Sequence, residues 1–304
     1  MSGAANPRNA GGMVQRLSSA SAVSAANYLT LPTPDGSGQM VHPDVIDFGS
    51  GNTWNGWRYW MAITPYTNTD ATTENPCILV SNDKTTWQVP NGLTNPVIPF
   101  PGVGKYNADT DIIMVGSTMY MIWKYTDAND EIRLATSTDG VTWTTQGAIL
   151  TAIHDFCLSP GVAVRNGRYV MISINHAVTP NTIERRTSTS MASGWSTPQT
   201  VTIPSLGGGD GWWHINITYD GDVLYAIITS VNYNLYLAAS FDDGLNWMIA
   251  PNAILPKLPG TTWQANLYRS CILRTATGFD LWYSAHNGGS PATWRTGYTT
   301  VVMP

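Results

Sequence analysis

Residues able to do chemistry stand in pairs two positions apart: His42 with Asp44, Asp109 with Asp111, and His214 with Asn216. Residues two apart on a strand share a face, so each pair presents its groups in one direction. Tyr268 and Arg269 fall at the matching place in a fifth segment, and Trp212 and Trp213 precede His214. The candidate ligand-binding set is therefore His42, Asp44, Asp109, Asp111, Trp212, Trp213, His214, Asn216, Tyr268 and Arg269. Imidazoles, carboxylates and an amide around one opening, with indoles nearby, suit a carbohydrate. Polar groups take the hydroxyls, and ring faces take the C–H surface of the sugar. Trp54, Trp57 and Trp263 add loop aromatics to the expected rim. The competing reading is structural: Asp and His at strand starts also satisfy backbone donors and one another around a narrow axis. A divalent cation held by His and Asp is compatible with the set, although no tight zinc-type spacing appears. No other cofactor is expected.

A repeat must position these residues. The phrase Ser81-Asn82-Asp83-Lys84-Thr85-Thr86-Trp87 returns as Ser137-Thr138-Asp139-Gly140-Val141-Thr142-Trp143 and, one residue longer, as Ser240 to Trp247. A worn copy runs from Thr189 to Trp195, so the tryptophans fall at 87, 143, 195 and 247, in steps of 56, 52 and 52. A fixed step of this size marks stacked or circular repeats. Apolar runs such as Cys77–Val80 and Leu235–Ala239 precede the copies and read as strands. The Asp accepts backbone N–H groups inside the turn, and Gly supplies positive φ. Hairpins with turns such as Asn166-Gly167 and Asp220-Gly221 recur five times. The hairpins align on Tyr59, Tyr120, Tyr169, Tyr225 and Phe279, and that register is what puts the polar pairs at the starts of the innermost strands.

The expected fold is all-β, a five-bladed β-propeller over residues 28–304 with a short N-terminal arm over residues 1–27. Each blade should bring its inner strand to a shared axis. The last blade lacks an outer strand of its own, so Tyr28-Leu29-Thr30-Leu31 is expected to supply it and close the ring. Met13 to Ala26 carries a weak helical pattern.

Composition narrows the function classes. Charged residues make up 12% and hydrophobic residues 43%, with 13 Trp, which favours strands and ring stacking over ionic partners. Net charge is −5 without a basic run, so neither nucleic acid nor an anionic membrane surface is expected as a partner. Cys77, Cys157 and Cys271 are widely spaced in apolar runs and read as buried thiols. No secretory leader of the usual kind and no membrane-spanning run is read from the sequence.

Three resemblances extend this reading. The longest repeat copy is similar to the Asp box of sialidase-type propellers, which implies a structural turn away from the active site. The blade pattern resembles five-bladed glycosidases of the arabinanase and β-xylosidase type, which implies Asp44 as base and Asp111 (or Asp109) as a tuning carboxylate. That family's acid, a Glu on the third blade, has no counterpart in Phe156-Cys157-Leu158-Ser159-Pro160-Gly161. Glu184 is the only Glu in that blade and is expected on its outer part. The third resemblance is to propeller domains of bacteriophage tail receptor-binding proteins. It is carried by His42-Pro43-Asp44-Val45, by Trp54 to Ala62, by Glu74 to Asp83, and by Leu158-Ser159-Pro160, Trp213-His214-Ile215-Asn216 and Tyr268-Arg269-Ser270. It implies a homo-oligomeric virion protein, located in the phage tail and attached to other virion proteins through the arm. Its ligand would be a host cell-surface glycan, bound without necessarily being cut.

The main expectation is thus a phage glycan-binding protein rather than an enzyme, with no catalytic residues. The alternatives are a glycoside hydrolase using Asp44 and Asp111, and a structural virion component.

Overall fold

The computed structural model describes residues 7–152, 157–204, 211–258, 260 and 262–303. Phe156, part of the third-blade phrase, lies outside the described residues. The five-bladed propeller is present. Blade one is β2 (Met40–Asp47), β3 (Tyr59–Pro65) and β4 (Cys77–Ser81), extended by a single bridge from Val80 to Gln88. Blade two is β5 (Tyr106–Val115), β6 (Thr118–Thr126), β7 (Asp130–Ser137) and β8 (Thr144–Ala152). Blade three is β9 (Leu158–Arg165), β10 (Arg168–Asn175), β11 (Thr182–Ser188) and β12 (Gln199–Val201). Blade four is β13 (Trp212–Asp220), β14 (Val223–Ser230), β15 (Leu235–Ser240) and β16 (Met248–Ile249). Blade five is β17 (Asn266–Arg274), β18 (Gly278–His286) and β19 (Trp294–Val302).

The fourth strand of blade five comes from the N-terminal region, as the missing edge required, but from a different segment. It is β1 (Ser21–Ala22), paired as Ser21 with Val302 and Ala22 with Val301. Tyr28–Leu31 forms no strand. It is held by one backbone bond, Leu29 N–H to Thr296 O at 2.9 Å, and by burial of Leu31. The preceding helix α1 (Pro7–Ser19) starts earlier than the sequence pattern suggested, and its Met13 and Leu17 are buried against blades four and five. The described part of the expected arm is therefore packed on the ring. Among the described residues no helix is long and apolar enough to cross a membrane.

Five apolar clusters fill the five gaps between neighbouring blades. Trp60, Trp123 and Trp282 are fully buried in them, and each contributes up to about 4 kcal/mol of transfer free energy. Packing is tight enough that a Cβ at Gly140 would run into Trp60. The repeated phrase is a turn clamp, as read. Asp139 Oδ1 accepts Val141 N–H and Thr142 N–H at 2.8 and 2.6 Å, and Trp143 Nε1–H donates back to Gly140 O at 3.1 Å. Asp83 and Trp87 repeat the arrangement.

Strand polarity sorts the molecule into two ends. Inner-strand starts, second-strand ends and third-strand starts share one end, the mouth. The Asp clamps follow the third strands and so lie at the other. Trp54 and Trp57 also belong to that other end: their loop follows β2, they bridge each other, and Trp54 packs on Trp60. They are not rim aromatics, because the loop leaves the inner strand at its far end.

Candidate functional site

Every inner strand carries a β-bulge at its mouth end. Bulges re-aim side chains and terminate pairing. Three of them hold non-glycine residues in the left-handed region, His42 (φ 59°), Asp109 (φ 51°) and Ser159 (φ 54°). Such strain persists where surrounding structure over-determines it and clusters at functional sites. The bulges also let consecutive residues reach the axis. Trp213 and His214 both join the mouth, and so do Tyr268 and Arg269.

The predicted set separates into two layers. The deeper layer is a plate made of Asp44, Asp111, Asn216 and Arg269. Asn216 Nδ2 donates to Asp44 Oδ1 at 3.0 Å and to Asp111 Oδ1 at 2.9 Å. Each carboxylate also clips the next blade: Asp44 Oδ2 accepts Ile112 N–H at 2.7 Å and Asp111 Oδ2 accepts Val162 N–H at 2.9 Å. Arg269, fully buried, reaches across the axis to Thr110 O, Pro160 O and Asp111 at 2.8 to 3.1 Å. Burial pushes the Asp44 carboxyl up to about 6. Burial, with the neighbouring Asp44, raises Asp111 well above the usual range. Below the plate an axial channel of about 270 Å³, walled mainly by Val and Ile, opens toward the Asp-clamp end.

The upper layer is His42, Asp109 and His214. His42 Nε2 lies 3.4 Å and His214 Nδ1 3.7 Å from Asp109 Oδ1. Ligand atoms from all three residues fall within 4.8 Å of one another. Each residue is 1% exposed. His42 Nε2, Asp109 Oδ1 and both ring nitrogens of His214 are buried without a hydrogen bond. Burial lowers His42 to about 4 and His214 well below its ordinary value, so both are neutral imidazoles at pH 7. Burial alone would raise Asp109. His42, His214, Arg269 and the Ser159 N–H instead hold it at about 2. Asp109 is thus an ionised carboxylate whose Oδ2 accepts Ser159 N–H at 2.9 Å. Thr64 Oγ1, at the end of β3, is 2.9 Å from His42 Nδ1.

Several mouth residues were not in the predicted set. Glu74 follows two 3₁₀ turns (Thr67–Thr69 and Ala71–Thr73) and brings Oε1 to 3.7 Å from His42 Nδ1. Burial, then the charge of Asp109, raises its carboxyl well above the usual range. Tyr66, Trp294 and His286 complete an aromatic belt with Tyr268, with neighbouring ring centroids 4.3 to 4.9 Å apart. They come from the ends of second strands and the start of a third, positions that the inner-strand register ignores. Trp213 is at the mouth, edge-on to His176 and His214. Trp212 is not: it is buried between blades three and four against Tyr236. Trp263 stacks on Tyr283 of blade five. Glu184 is buried, with its oxygens taken by Arg186 and Asn175, and is no free acid.

No family model matches the chain. Over 113 residues it is 37% identical to the A type blood N-acetyl-α-D-galactosamine deacetylase of Flavonifractor plautii, a match covering 34% of this chain and 14% of that relative's length. The structure of an N-acetylgalactosamine deacetylase from F. plautii, in complex with blood group B trisaccharide, superposes with a TM-score of 0.82 at 23% identity, over 92% of this chain and 95% of that one. A thermostable family-43 glycoside hydrolase gives a TM-score of 0.62 at 13% identity over 90% and 91% of the two chains. An endo-arabinanase of that family from Bacillus licheniformis gives 0.59 at 10% over 90% and 96%.

The fold is that of the family-43 glycosidases, as the blade pattern implied. The expected main function, a phage tail receptor-binding protein, is overturned: the similar proteins process carbohydrate. The leaning toward binding without catalysis loses its support with it.

Proposed function

We propose that the chain is a carbohydrate-processing hydrolase whose mouth removes a small acyl group, acetyl in the first instance, from the amino group of an N-acetylated sugar. One observation carries the reading: four buried polar atoms of His42, Asp109 and His214 converge at ligand spacing without partners. An unsatisfied buried polar atom costs about 1–3 kcal/mol, so folded proteins keep few of them. Two neutral imidazoles and an ionised carboxylate fit a divalent cation. Three protein ligands with an open position are the pattern of catalytic rather than structural zinc. His42 Nε2, Asp109 Oδ1 and one His214 nitrogen would hold it, with Thr64 Oγ1 fixing the His42 ring from behind. When bound, such a cation polarises a carbonyl and supplies a water nucleophile at neutral pH.

Glu74 does the proton work. Its carboxyl, made more basic by burial and by Asp109, stands beside His42 Nδ1 and in its ionised form takes a proton from the attacking water. It returns that proton to the amide nitrogen as the C–N bond breaks, leaving acetate and a free amine. Depth supports an acyl substituent over a glycosidic bond, since His42, Asp109 and His214 are each 1% exposed and a small protruding group reaches them more readily than a linkage between two rings. The trisaccharide bound in the similar structure supports a glycan as the ligand class.

A second reading, glycosidic cleavage with Asp44 as base, has the fold likeness and the raised Asp44 carboxyl behind it. Against it, both Asp44 oxygens are engaged. Asn216 Nδ2 bridges Asp44 Oδ1 and Asp111 Oδ1 at 3.0 and 2.9 Å and fills the space where a water or a scissile bond would have to lie between two working carboxyl groups.

The test is product analysis on oligosaccharides ending in N-acetylgalactosamine or N-acetylglucosamine. Acetate without new reducing ends is the expected result. Reducing ends without acetate would move the assignment to glycosidic cleavage, and neither product would end both readings.

A further inference from the structure

Tyr268 is wedged between the two imidazoles of the upper layer. Its ring centroid lies 4.0 Å from that of His214, 5.3 Å from that of His42, and 4.8 Å from Trp294 on the outer side. Burial, then the charges of Glu74 and Asp109, push the Tyr268 hydroxyl well above its ordinary value, so it keeps its proton at neutral pH. Trp213 approaches from blade four. Its indole N–H, a group that can only donate, is buried without a hydrogen bond of standard geometry and faces the Tyr268 hydroxyl. The two β-bulges that turn Trp213 and Tyr268 toward the axis are what bring these donors together. A hydroxyl with its proton free to donate and an indole N–H that can only donate, beside a carboxylate and two imidazoles, are complementary to an oxygen that gains negative charge.

We propose that Tyr268 O–H and Trp213 Nε1–H form a donor pair that holds the acyl carbonyl oxygen of the substrate and stabilises the charge it gains as water adds to the carbonyl carbon. The proposal deepens the hydrolase reading and rests on it. It divides the labour at the mouth: Glu74 moves the proton, while Tyr268 and Trp213 hold the oxygen. It also narrows the substrate class. The acyl group must be short enough for its carbonyl oxygen to meet both donors beneath the aromatic belt, so acetyl and formyl are accepted and long-chain acyl groups are not.

Tyr268→Phe tests this, because it removes the hydroxyl and keeps the ring that packs on His42, His214 and Trp294. With an N-acetylgalactosamine-terminated trisaccharide, kcat for acetate release should fall about 10²- to 10³-fold with little change in KM. Bound metal per chain should stay the same. Trp213→Phe should lower kcat less and leave the thermal midpoint close to wild type, which guards against a folding artefact at either position. Acetate itself, titrated calorimetrically, is a probe that needs no turnover, and its affinity should fall severalfold in both variants. Wild-type kcat in Tyr268→Phe, or unchanged acetate affinity in both variants, would overturn the donor pair. If the wild type releases no acetate, yet acetate binding still depends on both donors, the hydrolase reading fails and the donor pair stands.

Discussion

The two layers at the propeller axis are both built of polar and ionisable side chains, lie two positions apart on three of the inner strands, and are buried alike. They differ in pairing. In the plate of Asp44, Asp111, Asn216 and Arg269, the carboxylate and amide groups facing the axis have partners in neighbouring blades. In the layer above, four buried atoms of His42, Asp109 and His214 have none. Burial and perturbed protonation therefore do not separate scaffold from site in this molecule, since Asp44 and Asp111 are perturbed as well. Unmet hydrogen-bonding capacity differs between them: one such atom, Arg269 Nε, lies in the plate, against four in the upper layer. The plate ties the five blades across the axis, and the upper layer is the one we propose takes a ligand.

Exchanging one residue from each layer should give opposite phenotypes. His214→Phe should abolish metal retention and lower acetate release by about 10³-fold or more, the scale of losing one member of a group that acts as a unit. Its stability should stay within about 1 kcal/mol of wild type in denaturant titration, because no hydrogen bond is lost. Arg269→Met should do the reverse. It leaves two buried carboxylates without their cation and should cost about 3–5 kcal/mol of stability, with metal affinity retained in whatever fraction stays folded. Similar phenotypes from the two variants would dissolve the distinction.

Asp44→Asn sharpens the comparison at lower amplitude. The side-chain oxygen still accepts Ile112 N–H, but the new NH2 faces the Asn216 Nδ2 donor, so stability should fall by about 1–3 kcal/mol, and activity should stay within a fewfold of wild type. A loss of 10²-fold or more in activity would return Asp44 to the role of base.

The smallest effect lies at the far end. Asp139 is held down at about 2, first by the Thr142 N–H, against a modest opposing effect of burial. A carboxyl lowered in the folded state adds stability above its unfolded value, near 4, and loses it as pH falls from there through about 2. Asp139→Ala should therefore lower the thermal midpoint slightly at pH 7, and the gap from wild type should close by pH 2. Acetate release at pH 7 should not change.

The sequence made the ring legible because its signals are local. The Ser-x-Asp turn, the Asn-Gly hairpins and the tryptophan step each fix a few residues, and repetition fixes the rest. The register on second-strand aromatics also placed both histidines and Asp109 at the starts of inner strands, where the structure gathers them at one end of the axis. It could not see the bulges, which depend on cross-strand pairing, and so it could not divide the set into two layers. Trp212 and Trp213 were equivalent in sequence, yet the bulge sends one to the core and the other to the mouth. Glu74, Thr64, Tyr66 and Trp294 lie outside the inner-strand register, at or beside second-strand ends and third-strand starts, which antiparallel polarity brings to the same end of the ring. The closing strand was misplaced for a simpler reason: a two-residue pairing at Ser21–Ala22 leaves almost no pattern in the sequence.

Anomalous diffraction from crystals soaked with zinc or manganese tests the central claim most directly. The account predicts one strong peak per chain, bonded to His42 Nε2, Asp109 Oδ1 and a His214 nitrogen at about 2.0–2.2 Å. No peak at that position in crystals whose dissolved protein releases acetate, or a peak at the Asp44–Asp111 plate instead, would contradict it.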